Sequence, residues 1–98
     1  MPVSMNKELV EIYSDATNYA VMRHPGRRFP GILIQGDTLY SIVYNAESAK
    51  AALGRGDLKK ATEEIDELVE GLRARLDHYK KVLLDHGLPL PFVETPRL

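Results

Sequence analysis

From Leu58 to Leu83 an apolar or small side chain returns at every third or fourth position: Leu58, Ala61, Ile65, Leu68, Leu72, Leu76, Tyr79 and Leu83. A spacing of 3.6 residues per turn puts all of them along one side of a helix. Asp57 supplies an N-cap and Gly87 with Pro89 a stop, so the spacing predicts a helix over 58–86. At 1.5 Å per residue that helix spans about 43 Å. In a chain of 98 residues, a rod of this length dictates what everything else must pack against.

A second, shorter helical pattern precedes it. Leu39, Ile42, Val43, Ala46, Ala49 and Leu53 fall at helical spacing, with Asp37 read as the N-cap, and predict a helix over 38–53. Gly54-Arg55-Gly56 breaks it just before Asp57. So short a link predicts an antiparallel helical hairpin. The first helix spans only about 24 Å, so the far end of the second overhangs it. That end has to pack on the strands, on the tail or on another chain. A homodimer through Leu76, Tyr79, Val82 and Leu83 is the expected solution.

The stripe of the long helix drifts. Leu68 lies on its early line, but Arg75, one heptad later, is polar and Leu76 takes over, which suits a straight helix better than a supercoiled seam. Acidic residues (Glu63, Glu64, Asp66, Glu67, Glu70) precede basic ones (Arg73, Arg75, Lys80, Lys81), the order that complements the helix dipole. Gly71 costs about 1 kcal/mol relative to alanine inside a helix; close packing on another backbone would explain it. After Gly87 the tail holds three prolines, and Leu88, Leu90 and Phe92 are expected to dock as an extended segment.

The N-terminal third reads as strand. Met1 to Lys7 is a loose lead-in. Leu9–Tyr13 and Asn18–His24 flank Ser14-Asp15-Ala16-Thr17, whose short polar side chains favour a turn, and together they predict an antiparallel β-hairpin. Alternation puts Tyr19, Val21 and Arg23 on one face and Ala20, Met22 and His24 on the other. An isolated hairpin is marginal in water, so it must pack on helix or gain a strand. Pro25-Gly26 and Pro30-Gly31 punctuate the loop that follows. Ile32-Leu33-Ile34 should be buried, as a short third strand. The expected fold class is therefore α+β in a single domain over 1–98: a β-rich part at 9–34, a helical hairpin at 38–86 and an extended tail at 87–98.

Several functions are made unattractive by composition. Lys plus Arg is 13 against Asp plus Glu 14, a net charge of -1, which gives no bulk attraction to nucleic acid or an anionic membrane. With Cys 0, disulfides, thiolate metal sites and a cysteine nucleophile are excluded. Apolar runs are too short to span a bilayer. Met1 to Asn6 shows no charged region followed by an apolar core, so no signal peptide is expected and a cytoplasmic setting is.

The concentrated cationic patch is Arg23, Arg27 and Arg28, with His24 and Phe29 beside it. Guanidinium forks bind phosphates and carboxylates bidentately. Internal pairing with Asp15, Asp37 or the acidic half of the long helix is the more ordinary use of such residues; an anion site for nucleic-acid backbone, a phosphorylated ligand or an acidic protein patch is the sharper one. Gly31 to Leu39 does not make a P-loop, because Gly36-Asp37-Thr38 puts a carboxylate where that motif needs a lysine. Between His78 and His86 the helical rise is roughly 12 Å, too far for one metal ion with bonds of about 2 Å. His86 is expected to cap its helix end and His78 to lie at the surface or an interface. The serines lack a nucleophile-elbow context. No catalytic set, metal site or cofactor is expected.

Asn18-Tyr19-Ala20-Val21-Met22-Arg23, Pro25-Gly26-Arg27-Arg28-Phe29-Pro30-Gly31 and Ile34-Gln35-Gly36-Asp37-Thr38-Leu39 together resemble a family of small bacterial proteins of unknown function. The resemblance covers about a quarter of the chain closely. It implies a bacterial, cytosolic, stand-alone domain and carries over no activity, cofactor or catalytic residue. It marks Arg23, Arg27, Arg28, Gln35 and Asp37 as residues to test, and Phe29 joins them in the loop. The expected function is a non-catalytic protein-binding module, immunity-type or regulatory, acting as a homodimer. The alternatives are an anion- or nucleic-acid-binding regulator using Arg23, Arg27 and Arg28, and an enzyme with a site at the loop and helix start using Arg23, Arg28, Gln35 and Asp37.

Overall fold

Three short strands come first and two helices follow: β1 (Glu11–Ser14), β2 (Val21–Arg23), β3 (Gly31–Ile32), α1 (Gly36–Gly54) and α2 (Leu58–Asp85). The computed structural model describes residues 3–95. The outermost residues of the lead-in and the tail, 1–2 and 96–98, lie outside that range. The chain is α+β: a three-stranded antiparallel sheet in the order β1-β2-β3, followed by the helical pair.

The sheet's register explains which residues face the core. Val21 pairs with Ile32 across β2 and β3, and Ile12 with Met22 across β1 and β2. A bulge between Ile12 and Ser14 shifts β1 at Tyr13. Val21 is fully buried, and Tyr13 and Ile32 pack on the same cluster; Met22 and Ile12 therefore fall on the outer face. The third strand starts one residue earlier than the sequence suggests. Gly31 pairs with Met22, whereas Leu33 is already half exposed and Ile34 lies beyond the ladder.

The overhanging end of α2 is taken up inside the chain. Tyr79, Val82 and Leu83 form one buried cluster with Val21, and Leu88 and Leu90 of the tail close over it. Tail residue Glu94 is ion-paired to Lys80. Of the four residues expected at an interface between chains, Tyr79, Val82 and Leu83 are thus internal, because the sheet and tail reach them first; Leu76 is only partly buried.

α1 lies against the first two-thirds of α2. Ala49 and Ala52 are buried on one helix, Ala61 and Glu64 on the other. Such small side chains let the two backbones approach closely, and Lys60 holds the Glu64 carboxylate at 2.8 Å. At the other end of the pair, Thr38 and Ile42 border the same hollow as Leu68, Leu72 and Arg75. α1 therefore begins level with Arg75, and Tyr79 onward belongs to the sheet.

Both helices end in a Schellman motif. After α1, Gly56 N–H donates to Leu53 O and Asp57 N–H to Ala52 O; after α2, Gly87 N–H donates to Leu84 O and Leu88 N–H to Leu83 O. Gly56 and Gly87 have φ of 76° and 66°, which glycine adopts without a Cβ clash. The start of α1 differs from expectation. Gln35, not Asp37, occupies the N-cap position and makes no side-chain capping bond. Asp37 sits inside the first turn, where its carboxylate accepts from Thr38 N–H at 2.8 Å. Asp57 does cap α2, accepting from Lys60 N–H at 3.0 Å.

The resulting molecule is wide and thin, 48 × 46 × 23 Å, with a radius of gyration of 17.0 Å. A compact domain of this length would have about 13 Å.

Candidate functional site

The two Pro-Gly pairs fix one loop at both ends. Pro25-Gly26 turns the chain out of β2, with Gly26 at φ 80° and Arg27 N–H donating to His24 O at 3.1 Å. Pro30 then returns the chain to the fold: it is buried, and its carbonyl accepts the Tyr79 hydroxyl at 2.6 Å. Between these anchors Arg27 and Arg28 are exposed.

The loop and the outer face of the sheet enclose an open groove of about 550 Å³. Met22, Phe29, Ile32 and Leu33 give it an apolar lining; His24, Arg27 and Arg28 give it a polar and cationic side. The Arg28 guanidinium lies 5.2 Å from the centre of the Phe29 ring, so the cation is carried on an aromatic face. Arg27 also borders a neighbouring depression of about 450 Å³ with Leu9, Val10, Glu11 and Arg23. Among the described residues, neither Arg27 nor Arg28 has a carboxylate in ion-pair range.

Arg23 has the opposite fate. Its Nε donates to Glu11 at 2.9 Å and its Nη2 makes an ion pair with the same carboxylate. The guanidinium bond holds the Glu11 carboxyl below its usual range, and the same bond raises Arg23. The Tyr13 hydroxyl donates to Glu11 at 2.9 Å, and its pKa is raised in turn by that carboxylate. Arg23 therefore staples β1 to β2. Its partner was not among the acids considered from sequence; the hairpin register, which sets Glu11 opposite Arg23, is what selects it.

Of the six residues marked in advance as binding candidates, the groove gathers Arg27, Arg28 and Phe29. Arg23 is engaged beside it, and Gln35 and Asp37 stand at the start of α1 without lining it. The apolar floor of Met22 and Leu33, bordered by Ile32 whose side chain packs on the core, was missed as a site. Alternation had already separated Met22 from Val21, which was the available signal.

His78 and His86 serve the fold. His86 packs edge-on against Tyr13 with ring centres 5.1 Å apart, and its Nε2 lies 3.0 Å from Tyr13 O, while its backbone caps α2. His78 packs edge-on against Tyr19, whose other neighbour is the Arg75 guanidinium at 4.6 Å. Among the described residues, no group of His, Cys, Asp and Glu is arranged to hold a metal ion, and no helix is long and apolar enough to cross a membrane.

A short β-sheet with a cationic, apolar-floored groove, carried on a helical pair, thus defines a small α+β protein. The chain belongs to the family of unknown function DUF6959, whose match covers residues 5–92. No curated protein and no solved structure matches it significantly.

Proposed function

We propose that the protein is a non-catalytic protein-binding module, regulatory or immunity-type, whose groove receives an acidic, partly apolar segment of a partner protein. The observation behind this reading is the pairing of two guanidinium groups that have no carboxylate within ion-pair range among the described residues with an apolar floor. A carboxylate side chain would take the forks of Arg27 and Arg28, while an apolar neighbour on the same segment would cover Met22 and Leu33. A bare phosphate would leave that floor wet. A nucleic acid would need a broader basic surface than a chain of net charge -1 offers. The enzyme reading gains nothing from the geometry, because Arg23 is bound to Glu11 and the groove excludes Gln35 and Asp37.

Chemical-shift mapping with a peptide of alternating Glu and Leu tests the surface. Shifts are expected at Met22, His24, Phe29 and Leu33. Affinity should weaken at least about tenfold, or 1.4 kcal/mol, in the Arg27→Ala plus Arg28→Ala variant, and should fall with added salt. Unchanged binding in that variant removes the groove from the mechanism. Retardation of nucleic acid at low salt, lost in the same variant, would favour the regulator alternative instead.

A further inference from the structure

One side of the helical hairpin carries two rows of uncovered side chains. On α1 the row is Leu39, Val43, Ala46, Lys50 and Leu53, all exposed. On α2 it is Leu58, Thr62, Ile65, Val69, Leu72 and Leu76, exposed except at Leu76. Each row steps by four and three in alternation, the heptad spacing of helices that pack seam to seam. Neither is the row that joins α1 to α2, which runs through Ala49 and Ala52 on one helix and Ala61 and Glu64 on the other. At about 100° per residue, each open row lies about a quarter turn from the buried one, in the same rotational sense on both helices. Because the helices run antiparallel, equal rotations bring both rows to one side of the pair. Leu53, Ile65 and Val69 are 52%, 41% and 56% exposed there.

We propose that this face is covered by a second copy of the chain, in a twofold dimer centred on four helices. Three features select a copy of the chain over a different protein. First, the chain exposes 7952 Å², whereas a compact monomer of 11.0 kDa exposes about 5,600 Å². The exposed stretches 3–10 and 91–95 supply part of that excess, but it is well beyond the roughly 800 Å² each partner contributes to a standard interface. Second, a twofold axis parallel to the helices lays α1 of one copy along α2 of the other, antiparallel, heptad row against heptad row. Self-complementarity of this kind is what an isologous contact requires. Third, Lys50 is the one charge within the α1 row, and this pairing brings it level with Thr62 and Asp66 of the other copy. Among the described residues, neither Lys50 nor Asp66 has an ion-pair partner within its own chain.

The dimer stands independently of the groove, since the two surfaces use different elements and are read by different measurements. Sedimentation equilibrium of the full chain at tens of micromolar should give about 22 kDa, twice the 11.0 kDa chain. Val69→Glu and Leu39→Glu, one on each helix and both at exposed positions, should each reduce the mass to that of a single chain while the far-ultraviolet circular dichroism stays helical. Tyr40→Glu, also exposed but about 100° round α1 from the row and turned away from α2, should leave the mass doubled. A single-chain mass for the unmodified protein overturns the proposal. So does a dimer that survives both row substitutions, or one that Tyr40→Glu disrupts.

Discussion

Tyr79 joins the arginine loop to the long helix with one side chain. Its ring is part of the cluster around Val21 and Leu83, and its hydroxyl donates to the carbonyl of buried Pro30 at 2.6 Å. Removing the hydroxyl leaves that carbonyl without its donor, so Tyr79→Phe should cost about 1–2 kcal/mol in urea denaturation at neutral pH. Burial raises the Tyr79 pKa, so the folded state favours the neutral phenol. Its contribution is complete below the unfolded value of about 10 and is lost as pH rises through the higher folded value. The gap between the two proteins should therefore narrow in alkali; a gap that stays constant from neutral pH to beyond the folded value would contradict this role. Arginine chemistry was legible in the sequence, but not how the arginines divide. Arg23 and Arg27 are four residues apart in one basic run, yet only Arg23 has an acid opposite it in the register. That pairing depends on the bulge at Tyr13, which no local residue signals.

At the scale of elements, α2 shows what periodicity conveys and what it blurs. Its extent, Leu58–Asp85, and that of α1, Gly36–Gly54, lie within two residues of the sequence reading, because Asp57, Gly54-Arg55-Gly56 and Gly87 mark their ends chemically. The drifting stripe is a different matter. Ala61, Leu68 and Tyr79 belong to the side that meets α1 and then the sheet, whereas Leu58, Ile65, Leu72 and Leu76 belong to the open side. Two adjacent rows, read as one broad row, look like drift. The strands were harder to bound because two to four residues contain little period, and Leu33 looks as strand-like as Ile32. Two glycines give opposite expectations. Gly56 ends α1 at φ 76°, and alanine there should destabilise by about 1–2 kcal/mol. Gly71 lies mid-helix, where a Cβ would meet only the Arg75 Nη1 atom at 3.3 Å. That atom ends a long side chain and can retreat by a few tenths of an ångström, although it now donates to Gly71 O at 2.8 Å. Gly71→Ala should therefore gain most of the helix-propensity difference, up to about 1 kcal/mol. Parallel thermal melts of the two variants check the pair, and a loss of stability at position 71 would show that Arg75 is held rigidly between Tyr19 and the helix.

Taken whole, the molecule has two centres of burial on one rod. The sheet, the tail and the last turns of α2 share the cluster of Val21, Tyr79, Val82 and Leu83. The helical pair meets through alanines, which bury little apolar area, and leaves its larger side chains outside. By area alone the pair is the weaker centre, since stabilisation scales with the apolar surface removed from water. Yet it holds the longer run of regular structure, and the open rows of α1 and α2 are where the missing burial has to come from. This arrangement predicts two kinds of stability in one chain. Leu83 is fully buried, and Leu83→Ala should cost about 2–5 kcal/mol at the sheet centre, which hydrogen exchange resolves by region. The amides of Val21 and Ile32 should then exchange much faster, at a rate indifferent to protein concentration. Those of α1 around Val43 and Ala46 should remain protected, and more so as concentration rises, because association adds stability only to the elements it covers. Equal acceleration in both regions would mean that the long helix welds them into one cooperative unit; protection of α1 that ignores concentration would mean its outer row is never covered by a second chain.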